Sequence, residues 1–390
     1  MTAAATHGSG LRASRAGLSA LAAASCLAVT TEMLPVGLLP QIARAFTVSE
    51  SATGLLVGLY AVMVAALAVP LTAATARFAR KPLLVVTVGG YVVSNALVAV
   101  APTFAIVAVG RTVGGLTHAL FFSLAIGYAP RLVSGAQVGR ALALAGSGAS
   151  VGLVLGVPLL TSLGTAAGWR TSFVALTVLS AVTVTLMARV LPPVGHEPGE
   201  HPRPTGGRRR LFAVASSNTL VFLGHFTVYT FISVVLLTGG VPAAFVGPVL
   251  LMCGACGLIG LWYAGRGLDR NPRRTTAVLL GSATVAVAAL TVTSSLLWAL
   301  LATIAVWCTA FGGIPSIYQA CAVRTGAVSP ERAGAWVNAT ANAGIAGGSA
   351  IGAGLLGTAG LQSLPWAAAL LFGLGLAVAV LARHAFPAQP

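Results

Sequence analysis

The chain has 390 residues, of which 57% are hydrophobic and 7% charged, and its mean hydropathy is +0.94. Soluble domains carry about 25% charged residues, so a water-soluble fold is excluded, and unbroken apolar runs disfavour an alternating membrane β-barrel. The net charge of +16 would suit a nucleic-acid partner, but the placement of the charges argues against one.

Apolar stretches of about 20 residues predict an all-α membrane protein. Its twelve spans are 17–43, 51–75, 82–101, 104–128, 141–164, 171–191, 211–238, 243–264, 275–294, 297–320, 333–357 and 363–382. With the N-terminus in the cytoplasm, 19 of the 22 Lys and Arg residues fall on that side. Only Arg44 and Arg170 fall on the other side, and Arg111 lies within a span. The positive-inside rule then places both termini in the cytoplasm of a plasma-membrane protein. The basic charge reflects topology, and no nucleic-acid partner is expected.

The first run follows Arg12 and Arg15 and passes "AASC", which resembles a lipoprotein cleavage box. It continues well past Cys26, too far for a signal core of about 7–15 residues. Within it, "TEMLPVGLLPQIAR" (31–44) carries Glu32, Pro35 and Pro40. Each proline removes a backbone hydrogen bond, and the freed carbonyls need protein or a water-lined cavity around them. Glu32 is the sole carboxylate well inside a span. Such residues are functional by default, and burial disfavours the charged form, a property a proton carrier uses.

The fourth span carries Arg111 and, two turns later on the same face, His118. Gly114 and Gly115 between them permit close approach, and Phe121 and Phe122 extend an aromatic wall. Glu32 lies about 22 Å from the inner end of its span and Arg111 about 10 Å from the outer end of its own. Both are therefore in the outer half of a core ~30 Å thick, where a Glu32–Arg111 contact is sterically allowed. Arg111 keeps its proton, so it is a tuner or anion contact, or a donor to backbone carbonyls. Tyr60 and Asn95 are assigned to ordinary helix-to-helix hydrogen bonds.

The Pro/Gly-rich segment 189–210 divides six spans from six and has the composition of a flexible linker. Its His196, Glu197, Glu200 and His201 lack the preorganisation of a metal site. The organisation is thus a tail 1–16, a six-helix bundle 17–191, a linker 192–210, a second bundle 211–382 and a tail 383–390.

In the seventh span His225 has Tyr229 at i+4 on the same face. Cys253 and Cys256 form a CxxC without a second ligand pair, which is better explained as small residues at a helix contact. Tyr318 and Gln319 on the tenth span and Asn338 and Asn342 on the eleventh complete the polar candidates for a substrate cavity, with Trp307 beside them.

An internal repeat of 193 residues pairs Arg77 with Arg270, Arg80 with Arg273, Lys81 with Arg274 and Arg131 with Arg324. It also pairs Glu32 with His225, making His225 the second candidate proton carrier. Parallel six-helix repeats are a transporter architecture, with the site between the halves near the midplane.

These motifs resemble the major facilitator superfamily, in particular its twelve-span bacterial drug and sugar efflux branch. "TEMLPVGLLPQIA" is similar to the first-span signature, Arg111 in "VGRTVGG" to the fourth-span arginine motif, and "GRGLDRNPRR" to the cytoplasmic loop motif. "GSGASVGLVLGVP" resembles the fifth-span antiporter motif, with Gly152, Gly156 and Pro158 at its Gly and Pro positions. The resemblance implies two pseudo-symmetric six-helix bundles and proton antiport. It also implies gating by Arg77, Arg80, Lys81, Asp269, Arg270, Arg273 and Arg274. The first-half loop departs from the pattern, with Ala76 where the family usually has Asp, leaving Asp269 as the acidic member.

The expectation is a proton-coupled exporter of small organic molecules, monomeric, without cofactor and not an enzyme. No G-x-x-x-x-G-K-[ST] loop supports ATP use. An importer or uniporter on the same fold is the alternative. A membrane metalloenzyme using Glu32, His118 and His225 as zinc ligands is the alternative from another class.

Overall fold

The computed structural model describes residues 10–75, 77–133, 137–193, 207–268 and 270–386. Ala76, Asp269 and most of the linker, including His196, Glu197, Glu200 and His201, lie outside them.

Six helical spans form each half. The first half contains α1 (Gly10–Phe46), α2 (Glu50–Ala74), α3 (Arg80–Val100) and α4 (Phe104–Tyr128). Its fifth span is α5 (Val138–Val151), a π turn and α6 (Val157–Ala167), and its sixth is α7 (Trp169–Val190). The second half opens with α8 (Arg208–Tyr229) and α9 (Ile232–Thr238), which together make its first span. It continues with α10 (Val246–Leu268), α11 (Pro272–Thr293), α12 (Leu297–Arg324), α13 (Pro330–Thr358) and α14 (Ser363–Leu381). Ser49, Thr103, Asn271 and Ser329 cap the helices that follow them, satisfying backbone N–H groups where the chain re-enters.

Among the described residues, 11 helical segments are long and apolar enough to cross a membrane. The twelfth span, α13, has the length at 29 residues, but its Gly, Ala and Asn content makes it less apolar. It runs between α8 and α2, so much of its surface meets protein instead of lipid.

Three predicted spans differ in detail. The first helix begins at Gly10 instead of 17. The fifth is interrupted at Gly152–Gly156, where Val157 N–H bonds back to the Gly152 carbonyl, one residue further than in an α-helix. The seventh breaks at Thr230–Phe231, where Phe231 leaves helical geometry (φ −107°, ψ 18°). No proline causes that break. The Phe231 ring fills notches at Gly54 of α2 and Gly352 of α13, where an added Cβ would come within 2.4 and 2.7 Å of it.

Packing repeats between the halves. Helix α1 packs on α5 and α7 as α8 does on α13 and α14, and α2 meets α4 as α10 meets α12. Helices α4 and α12 begin at Phe104 and Leu297, and α3 and α11 end at Val100 and Thr293, each pair 193 residues apart. Glycine makes the closest crossings possible: a Cβ on Gly148 or Gly152 would lie 1.8 or 2.4 Å from the Ala22 or Cys26 carbonyl oxygen of α1.

The halves meet through α2 on α13, α6 on α10 and α9 on α1. Gly58 faces Ala346 and Ser349, and Gly247 faces Pro158 and Ser162. Ser233 Oγ donates to the Val36 carbonyl at 2.7 Å. These contacts lie toward the end that holds the 47–49 connection, here the far end. The buried residues of α2 run from Thr53 to Val64, and its later turns toward Ala74 are at least partly exposed. The halves are therefore joined at the far end and diverge toward the end that holds the termini.

Candidate functional site

The site begins with the prolines of α1. Pro35 has no N–H, so the Thr31 carbonyl four residues earlier loses its helical donor. Arg111 supplies the replacement. Its Nη1 donates to Thr31 O at 2.6 Å, Nη2 to Glu32 O at 2.7 Å and Nε to Leu56 O at 3.4 Å. The guanidinium also sits over the Tyr60 ring, 4.3 Å from its centroid. Arg111 thus reaches Glu32 as expected, but through the backbone oxygen.

The Glu32 carboxylate faces His118 instead, with Oε2 3.8 Å from Nε2. His118 Nδ1 lies 2.9 Å from the Tyr60 hydroxyl, and its ring packs 4.7 Å from Phe122. Glu32 is 6% exposed, and its Oε1 has no hydrogen-bond partner. Gly114 and Gly115 bring α4 against Tyr60, with a Cβ at Gly115 falling 2.5 Å from the Tyr60 carbonyl. Asn95 Nδ2 donates to Thr31 Oγ1 at 3.0 Å, and the Tyr91 hydroxyl is buried without a partner.

Tyr60 makes the helix-to-helix hydrogen bond expected of it, to His118, and is also central to the cluster. Tyr91 is a neighbour that the sequence alone does not single out. A mid-span hydroxyl was the available signal for both. Phe121 is fully buried in the first-half core against Tyr91, 6.1 Å between ring centroids, while Phe122 forms the wall beside His118.

In the second half His225 lies between rings. Phe311 stacks on it at 3.4 Å and 8°, Tyr229 at 4.8 Å and 23°, and Trp307 is 4.9 Å away at 56°. His225 Nδ1 and Trp307 Nε1 are both buried without partners. No hydrogen bond or ion pair joins Glu32 to His225 among the described residues.

The remaining candidates are dispersed. Tyr318 bonds to Ser217 at 2.8 Å, Gln319 is exposed, and Asn342 Nδ2 donates to the Asn338 carbonyl at 3.0 Å. Gly152 and Gly156 pack on α1, and Pro158 presents its carbonyl to Gly247 of the other half. The basic residues Arg77, Arg80, Lys81, Arg270, Arg273 and Arg274 lie at the terminal end, each at least partly exposed. Asp269, the acidic gating candidate, falls outside the described residues. Nor do Glu32, His118 and His225 converge as the metalloenzyme alternative requires. Among the described residues no three His, Cys, Asp or Glu side chains are placed to hold a metal ion.

Two parallel six-helix repeats, joined at one end and with a buried carboxyl group within the first, define a membrane transporter of small molecules. The chain belongs to the Major Facilitator Superfamily, whose family model matches residues 21–335. It is 33% identical over 388 residues to a chloramphenicol efflux pump of Mycobacterium tuberculosis (strain ATCC 25618 / H37Rv), covering 95% of this chain and 92% of that protein. A probable sugar efflux transporter of Mannheimia succiniciproducens is 29% identical over 346 residues, covering 88% of this chain and 87% of the relative. Among solved structures, a bacterial homologue of the human lysosomal transporter Spinster, inward-facing and unoccupied, superposes with a TM-score of 0.75 at 16% identity. That match covers 96% of this chain and 98% of the other. A D-xylose–proton symporter matches with a TM-score of 0.74 at 15% identity, over 95% and 98% of the two chains. At these identities the structures show the fold alone.

Proposed function

We propose that this chain is a monomeric, proton-coupled exporter of small organic molecules in the plasma membrane, with both termini cytoplasmic. The observation that carries the reading is the buried Glu32 carboxyl group, with one oxygen unpartnered and the other facing the His118–Tyr60 pair. The efflux functions named for the two curated relatives support the direction of transport and a small organic substrate.

With the basic terminal end in the cytoplasm, the halves are open inward and closed at the far end. In this state Glu32 gives up its proton as substrate enters, and it takes one up when the cavity faces outward. Proton and substrate are coupled only if the two states bind the proton with different affinity. The Tyr60 hydroxyl orients the His118 ring, so that Nε2 meets the carboxyl group and can pass a proton to or from it. Arg111, held by carbonyls, supplies a fixed positive charge near the ionised acid without closing on it.

Proteoliposomes with an imposed pH gradient test the reading. Substrate should move against its gradient and protons should move in exchange. Glu32→Gln should abolish that movement while substrate counterflow persists. Wild-type accumulation by Glu32→Gln would move the coupling proton to another group, and substrate that only equilibrates across the membrane would leave a uniporter. Co-directional proton movement would make the protein an importer. A cysteine placed at Gly206 in a cysteine-free background tests orientation, since it should label only from the cytoplasmic face.

A further inference from the structure

We infer that the ring cluster around His225 is a binding subsite for a neutral aromatic ring carrying an oxygen substituent, such as an aryl alcohol. The inference rests on the transport reading above and assigns a class of substrate to it. His225 and Trp307 are 4% and 0% exposed, yet Nδ1 of one and Nε1 of the other have no hydrogen-bond partner. An orphaned buried polar atom is destabilising, and here two of them share one ring cluster, at 4.9 Å between ring centroids. The Trp307 N–H can only donate, whereas an imidazole nitrogen either accepts or donates. A hydroxyl oxygen accepts from Trp307 and donates to a bare Nδ1, satisfying both atoms with one group.

The ring geometry selects the remainder of the ligand. Phe311, His225 and Tyr229 lie nearly parallel, within 8° and 23° of the imidazole plane. The parallel faces suit a flat ring inserted among them, while Trp307 and Phe226 stand at 56° and 75° to the imidazole and close the edge of the stack. These five rings (Phe226 is the fifth) contain no charged side chain that would pair with an ionised ligand. Phe311 is the partly exposed member, so it is the wall that swings aside to admit a ring into a stack closed at 3.4 Å.

The test is binding, separate from transport. Purified full-length protein is titrated with 3-phenylpropanol, 3-phenylpropylammonium and 3-cyclohexylpropanol, with ligand-observed NMR reporting occupancy. The aryl alcohol should bind at least five-fold more tightly than either analogue. Trp307→Phe keeps the ring, removes the N–H and should weaken the aryl alcohol five-fold or more, as should His225→Phe. Phe311→Leu provides a milder variant, expected to erase the preference for the aryl over the cyclohexyl compound. Arg266→Gln, whose guanidinium lies over the exposed Trp262 ring outside both clusters, should leave all three affinities within about two-fold. Occupancy is read without a pH gradient, so a failure of proton coupling does not touch this result. Equal binding of the three compounds, tighter binding of the ammonium, or an unchanged affinity in Trp307→Phe would overturn the assignment.

Discussion

In the first half Glu32 faces His118 across α1 and α4. In the second half His225 faces Phe311 across α8 and α12, each 193 residues further along. One crossing is ionic and the other aromatic. The same displacement carries Pro35 to Val228 and Arg111 to Ile304. Val228 has an N–H, so no carbonyl is freed there and no guanidinium is needed to occupy it. Proline, arginine and acid are all replaced in the second half, and it is the bond of Arg111 to the Thr31 carbonyl, with none to the Glu32 carboxylate, that ties the arginine to the proline. Pro40 is replaced by Ser233, and the Ser233 hydroxyl bonds to Val36 O, the carbonyl that Pro40 frees.

The largest expected effect comes from removing the ionic side of this comparison. Glu32→Gln should reduce gradient-driven transport to the level of empty liposomes, while His225→Gln retains measurable exchange for protons. If His225→Gln were the silent variant instead, the division of labour between the halves would be reversed. Next comes Arg111→Met, which leaves the Thr31 carbonyl without a donor and removes the added bonds to the Glu32 and Leu56 carbonyls. At about 1–3 kcal/mol for the one orphaned buried carbonyl, thermal melting in detergent should show a clear loss of stability. Restoring a helical donor with Pro35→Ala should recover part of that loss. A melting curve unchanged by Arg111→Met would break the link between arginine and proline.

Tyr60→Phe should have an intermediate effect, with exchange slowed roughly ten-fold and the pH profile displaced, because His118 loses the hydroxyl that sets its tautomer. An unaltered profile with slower exchange would reduce Tyr60 to a packing residue. The smallest effect is expected for Ser233→Ala, which removes one hydrogen bond across the far end. Opening should be about two- to five-fold faster, read as a rise in exchange rate at unchanged affinity.

What the sequence made legible follows from what a bilayer penalises. The spans, the basic end and the isolation of Glu32 and Arg111 could be read from single residues, because charge in hydrocarbon is costly wherever it sits. The acid's neighbours were harder to find. Tyrosine is tolerated within membranes as an aromatic with a polar tip, so neither Tyr60 nor Tyr91 stood out. The partner of Arg111 was within reach, since the residue four before Pro35 is Thr31. The break at Thr230–Phe231 was not, because its cause lies in Gly54 and Gly352, on two helices far away in the chain. The same holds for the His225 stack, whose Phe311 comes from α12. The repeat pointed to position 225, and only packing shows which rings surround it.

The carbonyl of Val36 must have a donor in every state of the molecule. While the far end is shut, that donor is Ser233; once the halves part, no helical N–H can return, because Pro40 has none. Water is the remaining donor, so opening of the far end is a wetting event at a fixed point in the cleft. Solutes too large to enter, supplied on the side that the far end faces, should then hold it closed by withdrawing that water, and osmotic pressure on that side becomes a control on how often the far end opens.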